Sequence, residues 1–185
     1  MAIKTIGEEE LTAPVKDAIS VCRSDSGICG TRLRAAHQYL GGILADRIGQ
    51  QNSRIKKIAL MIMMRAGLLF GLGLADGLEK RGLAVDIFFD TEGRLPAADY
   101  DLMIVADGVI RTGEKMRVLA DRIRHPNTIL AANVLDESGI PELDGRKVYA
   151  VRISKNSFIG AAQKTVADGK GPDTGDRLFS SDFLA

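Results

Sequence analysis

Between residues 31 and 48 the apolar positions return every three or four residues. Leu33, Ala36, His37, Leu40, Ile43, Leu44 and Ile48 fall on one face of a helix. The pattern then changes. Residues 57–63 form a short, continuous apolar run behind charged residues, which predicts a buried strand, and 68–81 predict a helix that stops at Gly82. Residues 84–90 (AVDIFFD), rich in branched and aromatic side chains, predict a second strand, 92–96 a turn, and 101–106 (DLMIVA) a third strand. Residues 113–123 predict a helix with Met116, Leu119, Ala120 and Ile123 on its apolar face, and 128–134 and 147–153 predict the fourth and fifth strands.

Near-continuous apolar strands alternating with helices predict an α/β fold. Its centre is a mostly parallel, five-stranded sheet with helices on both faces. No repeat, low-complexity segment or linker interrupts the 185 residues, so a single domain is expected over 1–185, opening with a helical segment over 1–50. Ligands of such sheets bind beyond the carboxyl ends of the strands. The chemistry should therefore follow Met63, Asp90, Ala106 and Ile153.

Composition narrows the choice of partner. Basic and acidic side chains number 25 and 24, for a net charge of +1, so no global field gathers nucleic acid or an anionic membrane. The most apolar stretch, 58–75, is broken by Arg65 and by glycines, which suits a buried strand and helix rather than a membrane span. The N-terminus has no export pattern, and Cys22 and Cys29 lack a second ligand pair for zinc. They read as reduced thiols of a cytoplasmic protein.

Three segments could carry chemistry. Arg65, in Met64-Arg-Ala-Gly-Leu68, follows a buried strand; it either faces a ligand crevice, where a guanidinium suits phosphate, or is a surface residue starting a helix. In 104–113 (IVADGVIRTG) a strand runs into Asp107 and then Thr112-Gly113 at a helix start, a pattern that suits a ribose hydroxyl and a phosphate but also occurs in ordinary connections. The run 169–177 (GKGPDTGDR) is either a rigid polar loop or a tail; Leu178, Phe179, Phe183 and Leu184 after it look like an anchor. His37 reads as a packed core histidine and His125 as solvated, so a metal site or a nucleophilic triad has little support.

In order, these segments resemble the uracil phosphoribosyltransferase family. Met64-Arg-Ala-Gly-Leu68 is similar to its L-R-A-G-L loop, and Val105 through Lys115 to its V-D-P-M-L-A-T-G-G-S segment, aligned on Asp107 and Thr112-Gly113. Pro172-Asp-Thr-Gly-Asp-Arg-Leu-Phe179 is similar to its G-D-A-G-D-R-L-F ending. The resemblance implies a type I phosphoribosyltransferase fold and the reaction of uracil with phosphoribosyl pyrophosphate to give UMP and pyrophosphate. It implies catalytic roles for Arg65, Asp107 and Asp173. The phosphoribosyl loop would be Asp107, Gly108, Val109, Ile110, Arg111, Thr112, Gly113, Glu114 and Lys115. Base recognition would fall to Ala167, Pro172, Asp173 and Thr174, within a base loop and anchor over 165–185. Mg²⁺ would arrive with phosphoribosyl pyrophosphate rather than on a dedicated protein site. The partners implied are phosphoribosyl pyrophosphate, uracil or another small base, UMP and a second copy of the chain, as a homodimer or higher homo-oligomer. Nucleic acid and membrane are not expected.

The chain departs from the family where it matters. Glu114 and Lys115 replace a glycine and a hydroxyl residue of the phosphate loop, Gly108 an acidic or proline position, and Pro172 a glycine. No arginine follows the second strand. A pyrimidine salvage enzyme and a non-catalytic, nucleotide-binding relative both fit this pattern.

Overall fold

The structure, a computed structural model, describes residues 2–90, 99–155 and 173–179. The expected turn at 92–96, the expected base-binding residues Ala167 and Pro172, and Phe183 and Leu184 of the expected anchor lie outside those residues. In chain order the elements are β1 (Ala2–Thr5), α1 (Ala13–Cys22), α2 (Gly30–Gln51), β2 (Lys57–Ile62), α3 (Gly67–Lys80) and β3 (Ala84–Phe89). There follow β4 (Leu102–Ile110), α4 (Glu114–Ile123), β5 (Thr128–Asp136), β6 (Lys147–Ser154) and α5 (Thr174–Phe179).

The strands form one sheet in the order β1-β6-β5-β4-β2-β3, and every adjacent pair is parallel. The sheet has six strands rather than the five expected. The missed strand, β1, is four residues long and carries one apolar branched side chain, too short a signal to read alone. It exists because Ala2–Thr5 pairs with Lys147–Ala150 of β6 at the edge of the sheet. The expected helical segment over 1–50 is thus a strand followed by two helices.

Burial follows strand position. β2, in the interior, is buried from Ile58 to Ile62, whereas edge strand β3 leaves Ile87 37% exposed. Helices cover both faces. One core packs α1, α2, α3 and Leu178 of α5 against Ile58, Leu60, Ile104 and Tyr149. The other packs Met116, Leu119 and Ala120 of α4 against Val105, Leu130 and Val148. Helices α2 and α3 meet backbone to backbone. A Cβ on Gly73 would lie 1.9 Å from the Gln38 carbonyl oxygen and one on Gly41 2.2 Å from that of Phe70, so only glycine admits this contact.

At the carboxyl side of the sheet the regular pattern breaks. The β4–β5 and β5–β6 ladders skip Gly108, Asn133 and Val151 and resume at Val109, Val134 and Arg152. Side-chain alternation changes phase there: Ala106 belongs to one core, while Ile110, four residues on, belongs to the other. Beyond this line lies a cavity. Among the described residues no helix is long and apolar enough to cross a membrane.

Candidate functional site

The cavity, about 680 Å³, is lined from several elements, including Arg65 from the β2–α3 connection, Asp107 from β4, Thr112 to Met116 from the start of α4, and Asp173 to Gly175 from the start of α5. Such a volume suits a nucleotide-sized ligand. Arg65, Asp107 and Asp173, far apart in sequence, share it.

Asp107 sits at the phase change in β4. It is half-buried, and burial raises its carboxyl pKa from 3.8 to about 7; the Asp90 carboxylate also pushes it up. Hydrogen bonds from the Gly108 and Val109 backbone, and the charge of Lys115, act the other way. Next to it the backbone is crowded, since a Cβ on Gly108 would lie 2.4 Å from the Ala66 carbonyl oxygen. Gly108 thereby lets the Arg65 loop rest on β4. Asp90, at the end of β3, holds the same loop: its Oδ1 accepts the Met64 N–H at 2.8 Å. The Met64–Arg65 peptide is cis.

Of the expected phosphoribosyl segment, 107–115, the first residues are strand. Gly108, Val109 and Ile110 belong to β4, because β5 runs alongside and pairs Val109 with Val134 and Ile110 with Leu135. Ile110 is buried in a cluster with Leu143 and Met116, and with Val109 it also lines the cavity. The loop proper is Arg111 to Gly113. Gly113 has φ +81° and caps α4, and a Cβ there would lie 2.9 Å from the Gly139 carbonyl oxygen. No side chain caps this helix, so N–H groups of its first turn face the cavity without intrahelical acceptors. Glu114 and Lys115 are both exposed at its mouth.

The C-terminal motif closes the other wall. Asp173 Oδ1 accepts the Asp176 N–H at 2.8 Å, which caps α5. Arg65 donates to Asp176 Oδ1 at 2.7 Å, Arg34 to the Leu178 carbonyl at 2.7 Å, and Arg177 reaches back to the α1–α2 connection. The motif is thus clamped by arginines. Leu178 is buried as part of the expected anchor, while Phe179 is 38% exposed. Arg65, read as either facing a phosphate or starting a helix at the surface, has a carboxylate partner in Asp176.

His37 is packed, as expected, and burial lowers its pKa to about 4, so it is neutral at physiological pH. His125 is hydrogen-bonded rather than solvated: Nε2 lies 2.9 Å from the Tyr100 carbonyl oxygen, and Nδ1 accepts the Asn127 N–H at 3.2 Å. Both cysteines are free thiols. Among the described residues, no cluster of three or more His, Cys, Asp or Glu could hold a metal ion.

Sequence reasoning missed Asp90, Arg152 and Arg177 as neighbours of the site. Arg152 could have been found by the argument that picked out Arg65, since both are charges at the end of an apolar strand. Arg177 lay inside a quoted motif without a role.

No known sequence family's profile matches the chain. No curated protein matches it in sequence. Solved structures do match. The AQ2163 protein from Aquifex aeolicus aligns over 97% of this chain and 98% of its own, with a TM-score of 0.69 and 15% identity. The hypoxanthine-guanine phosphoribosyltransferase of Schistosoma mansoni, solved with IMP, aligns over 66% of this chain and 67% of its own, with a TM-score of 0.53 and 18% identity. The Leishmania tarentolae HGPRT-ase, solved with GMP, aligns over 68% and 80%, with a TM-score of 0.53 and 14% identity. At these identities the likeness is one of fold: the chain has the α/β fold of the type I phosphoribosyltransferases.

Proposed function

We propose that the chain is a phosphoribosyltransferase that joins a pyrimidine base to the ribosyl group of phosphoribosyl pyrophosphate, uracil being the base to which the C-terminal resemblance points. One observation carries this reading. A single cavity at the carboxyl edge of the sheet is shared by Arg65, Asp107, the uncapped start of α4 and Asp173. In the reaction the C1′–O bond breaks and its electron pair leaves with pyrophosphate. The ring nitrogen's lone pair forms the new C1′–N bond, and its proton passes to solvent. No protein nucleophile is required, only orientation and charge stabilisation. The N–H groups at the start of α4, with Thr112, hold the 5′-phosphate. Asp107 accepts from ribose hydroxyls. Arg65, released from Asp176 or shared with it, faces the charge of the leaving group.

Asp107 is a crowded carboxylate with Asp90 acting on it and no cation paired to it among the described residues, which fits a site completed by Mg²⁺ that arrives with the diphosphate. Asp107 would help to hold that ion. Mg²⁺ supplies neutralisation of the leaving diphosphate.

A second reading, a nucleotide-binding relative without turnover, draws support from the continuation of β4 through Ile110, which shortens the phosphate loop. A turnover assay with phosphoribosyl pyrophosphate, Mg²⁺ and a panel of bases separates the two. Formation of a nucleoside monophosphate and pyrophosphate in equal amounts supports the enzyme. Tight binding of UMP with no turnover on any base supports the second reading, and neither result sinks both.

A further inference from the structure

β2 lies between β4 and β3 in the sheet, so the connection that leaves it is gripped from both sides. On the β4 side the Met63 N–H donates to the Ala106 carbonyl at 2.9 Å. Close packing follows at once: a Cβ on Gly67 would lie 2.9 Å from that same carbonyl oxygen. Successive N–H groups of a strand point to opposite neighbours, so Met64 turns its N–H toward β3. β2 and β3 are in register as far as Ile62 with Phe89, which puts Asp90 at the next rung. The acceptor there is a side chain, since Asp90 Oδ1 takes the Met64 N–H at 2.8 Å.

A carboxylate is a costly acceptor in this place. The cavity along this edge is read as a site for phosphates, and the Asp90 charge also acts on the Asp107 carboxyl. A negative charge near an anion site works against the ligand. What Asp90 supplies is therefore a fixed hydrogen bond rather than a charge.

The side chain that depends on this bond is Arg65. It is next in the chain, so fixing the Met64 N–H fixes the point from which the Arg65 side chain leaves. The Met63 carbonyl accepts the Gly67 N–H at 3.0 Å and the Arg65 carbonyl the Leu68 N–H at 3.1 Å, which closes the turn into α3. At its far end Arg65 meets Asp176 at 2.7 Å, with the two side chains 56% and 32% exposed. An ion pair that open to water holds a guanidinium weakly. The direction of Arg65 is thus set by its backbone more than by its partner.

We propose that Asp90 is a positioning residue: by holding the Met64 N–H it aims Arg65 across the cavity, where the diphosphate of phosphoribosyl pyrophosphate takes the guanidinium over from Asp176. The proposal rests on the phosphoribosyltransferase reading. It gives a role to the residue that follows β3, which belongs to none of the motifs, and it makes hydrogen-bond acceptance the property that counts.

The test is calorimetric titration of phosphoribosyl pyrophosphate with Mg²⁺ into the full chain and its variants, each checked for native folding by circular dichroism. Asp90→Ala should weaken binding by about fivefold or more. Asp90→Asn keeps an oxygen acceptor and sheds the charge, so it should bind within about twofold of the wild type, or more tightly. Arg65→Gln should weaken binding on its own. Adding Asp90→Ala to it should then change affinity by less than about twofold, because no guanidinium remains to be aimed. Wild-type affinity in Asp90→Ala overturns the proposal. So does an Asp90→Asn variant as weak as Asp90→Ala, which would make charge the working property. A loss that persists in full in the Arg65→Gln background also overturns it, since Asp90 would then only support the local fold. In each of these cases the wild type still binds and the phosphoribosyltransferase reading stands. If the wild type does not bind phosphoribosyl pyrophosphate at all, that reading fails and this inference with it.

Discussion

Replacing Asp107 with asparagine should stabilise the protein, and only above mildly acidic pH. The native carboxyl pKa is raised from 3.8 to about 7, chiefly by burial. Between those two values the folded state therefore holds more protons than the unfolded state, and stability falls as pH rises. Below the lower value the group is neutral in both states and costs nothing. Above the upper value the full cost is present. At about 1.4 kcal/mol per unit the ceiling is about 4 kcal/mol. The side chain keeps some contact with the cavity, where water screens its charge, so about 2–4 kcal/mol is expected. Asparagine has nearly the same shape and no charge at any pH. The stability of Asp107→Asn minus that of the wild type, from urea titrations at steps from pH 4 to pH 8, should climb by that amount and level off near pH 8. Acid unfolding driven by other carboxylates is common to both proteins and cancels in the difference. A difference that stays flat across the range would refute the reasoning, because Asp107 would then be no costlier ionised in the folded protein than in the unfolded one. A falling difference would mean that the charge is held by a partner. Either result would also remove the case for Asp107 as a site awaiting a ribose or a cation.

Gly73→Ala should destabilise the protein by about 1–3 kcal/mol in urea unfolding, since the new methyl meets the Gln38 carbonyl oxygen and α2 must move. Gly42→Ala, whose methyl would lie an ordinary 3.7 Å from the Gly73 carbonyl oxygen, should instead gain about 0.5–1 kcal/mol from helix propensity. Asp173→Ala should lose about 0.5–2 kcal/mol because it uncaps α5, whereas Asp173→Asn keeps the cap; a loss of nucleotide affinity in the asparagine variant would then report on the ligand rather than on the helix. Glu114 is exposed at the cavity mouth, so Glu114→Gly should change affinity for phosphoribosyl pyrophosphate by less than threefold in calorimetry, while Lys115→Ala should weaken it about tenfold, since the charge of Lys115 reaches the Asp107 carboxylate. A tenfold rise in Glu114→Gly would mean that Glu114 occupies the phosphate loop.

The helices and central strands were legible because burial imposes a period. β2 is apolar from Ile58 to Ile62 because α-helices cover it on both sides, and α2 repeats every three to four residues because one stripe faces the core. β1 was not legible, since its four residues become a strand only through the backbone of β6. The end of β4 failed for a related reason. Local sequence suggested a stop at Ala106, where Asp107 and Gly108 break the apolar run. What decides is the neighbour: β5 supplies ladder partners as far as Leu135, so β4 continues to Ile110.

The same distinction divides the site. Arg65, Asp107 and Thr112-Gly113 could be read because each stands where an apolar strand gives way to polar residues, and in a parallel sheet all such points lie along one edge. Which of them meets which partner could not be read. The Arg65–Asp176 pair joins residues 111 apart in sequence, and the contacts of Arg177 with the α1–α2 connection span about 150. Order along the chain says that these groups can share a cavity. Only the packing of α5 says that Arg65 is already paired with Asp176 and that Arg177 is held by the Arg23 and Ile28 carbonyls. The arginine in the recognisable loop has a carboxylate, and Arg177, which the motifs left without a role, is held by neutral acceptors of the α1–α2 connection. The shape of this cavity is therefore set by contacts between distant segments as much as by the motifs that line it.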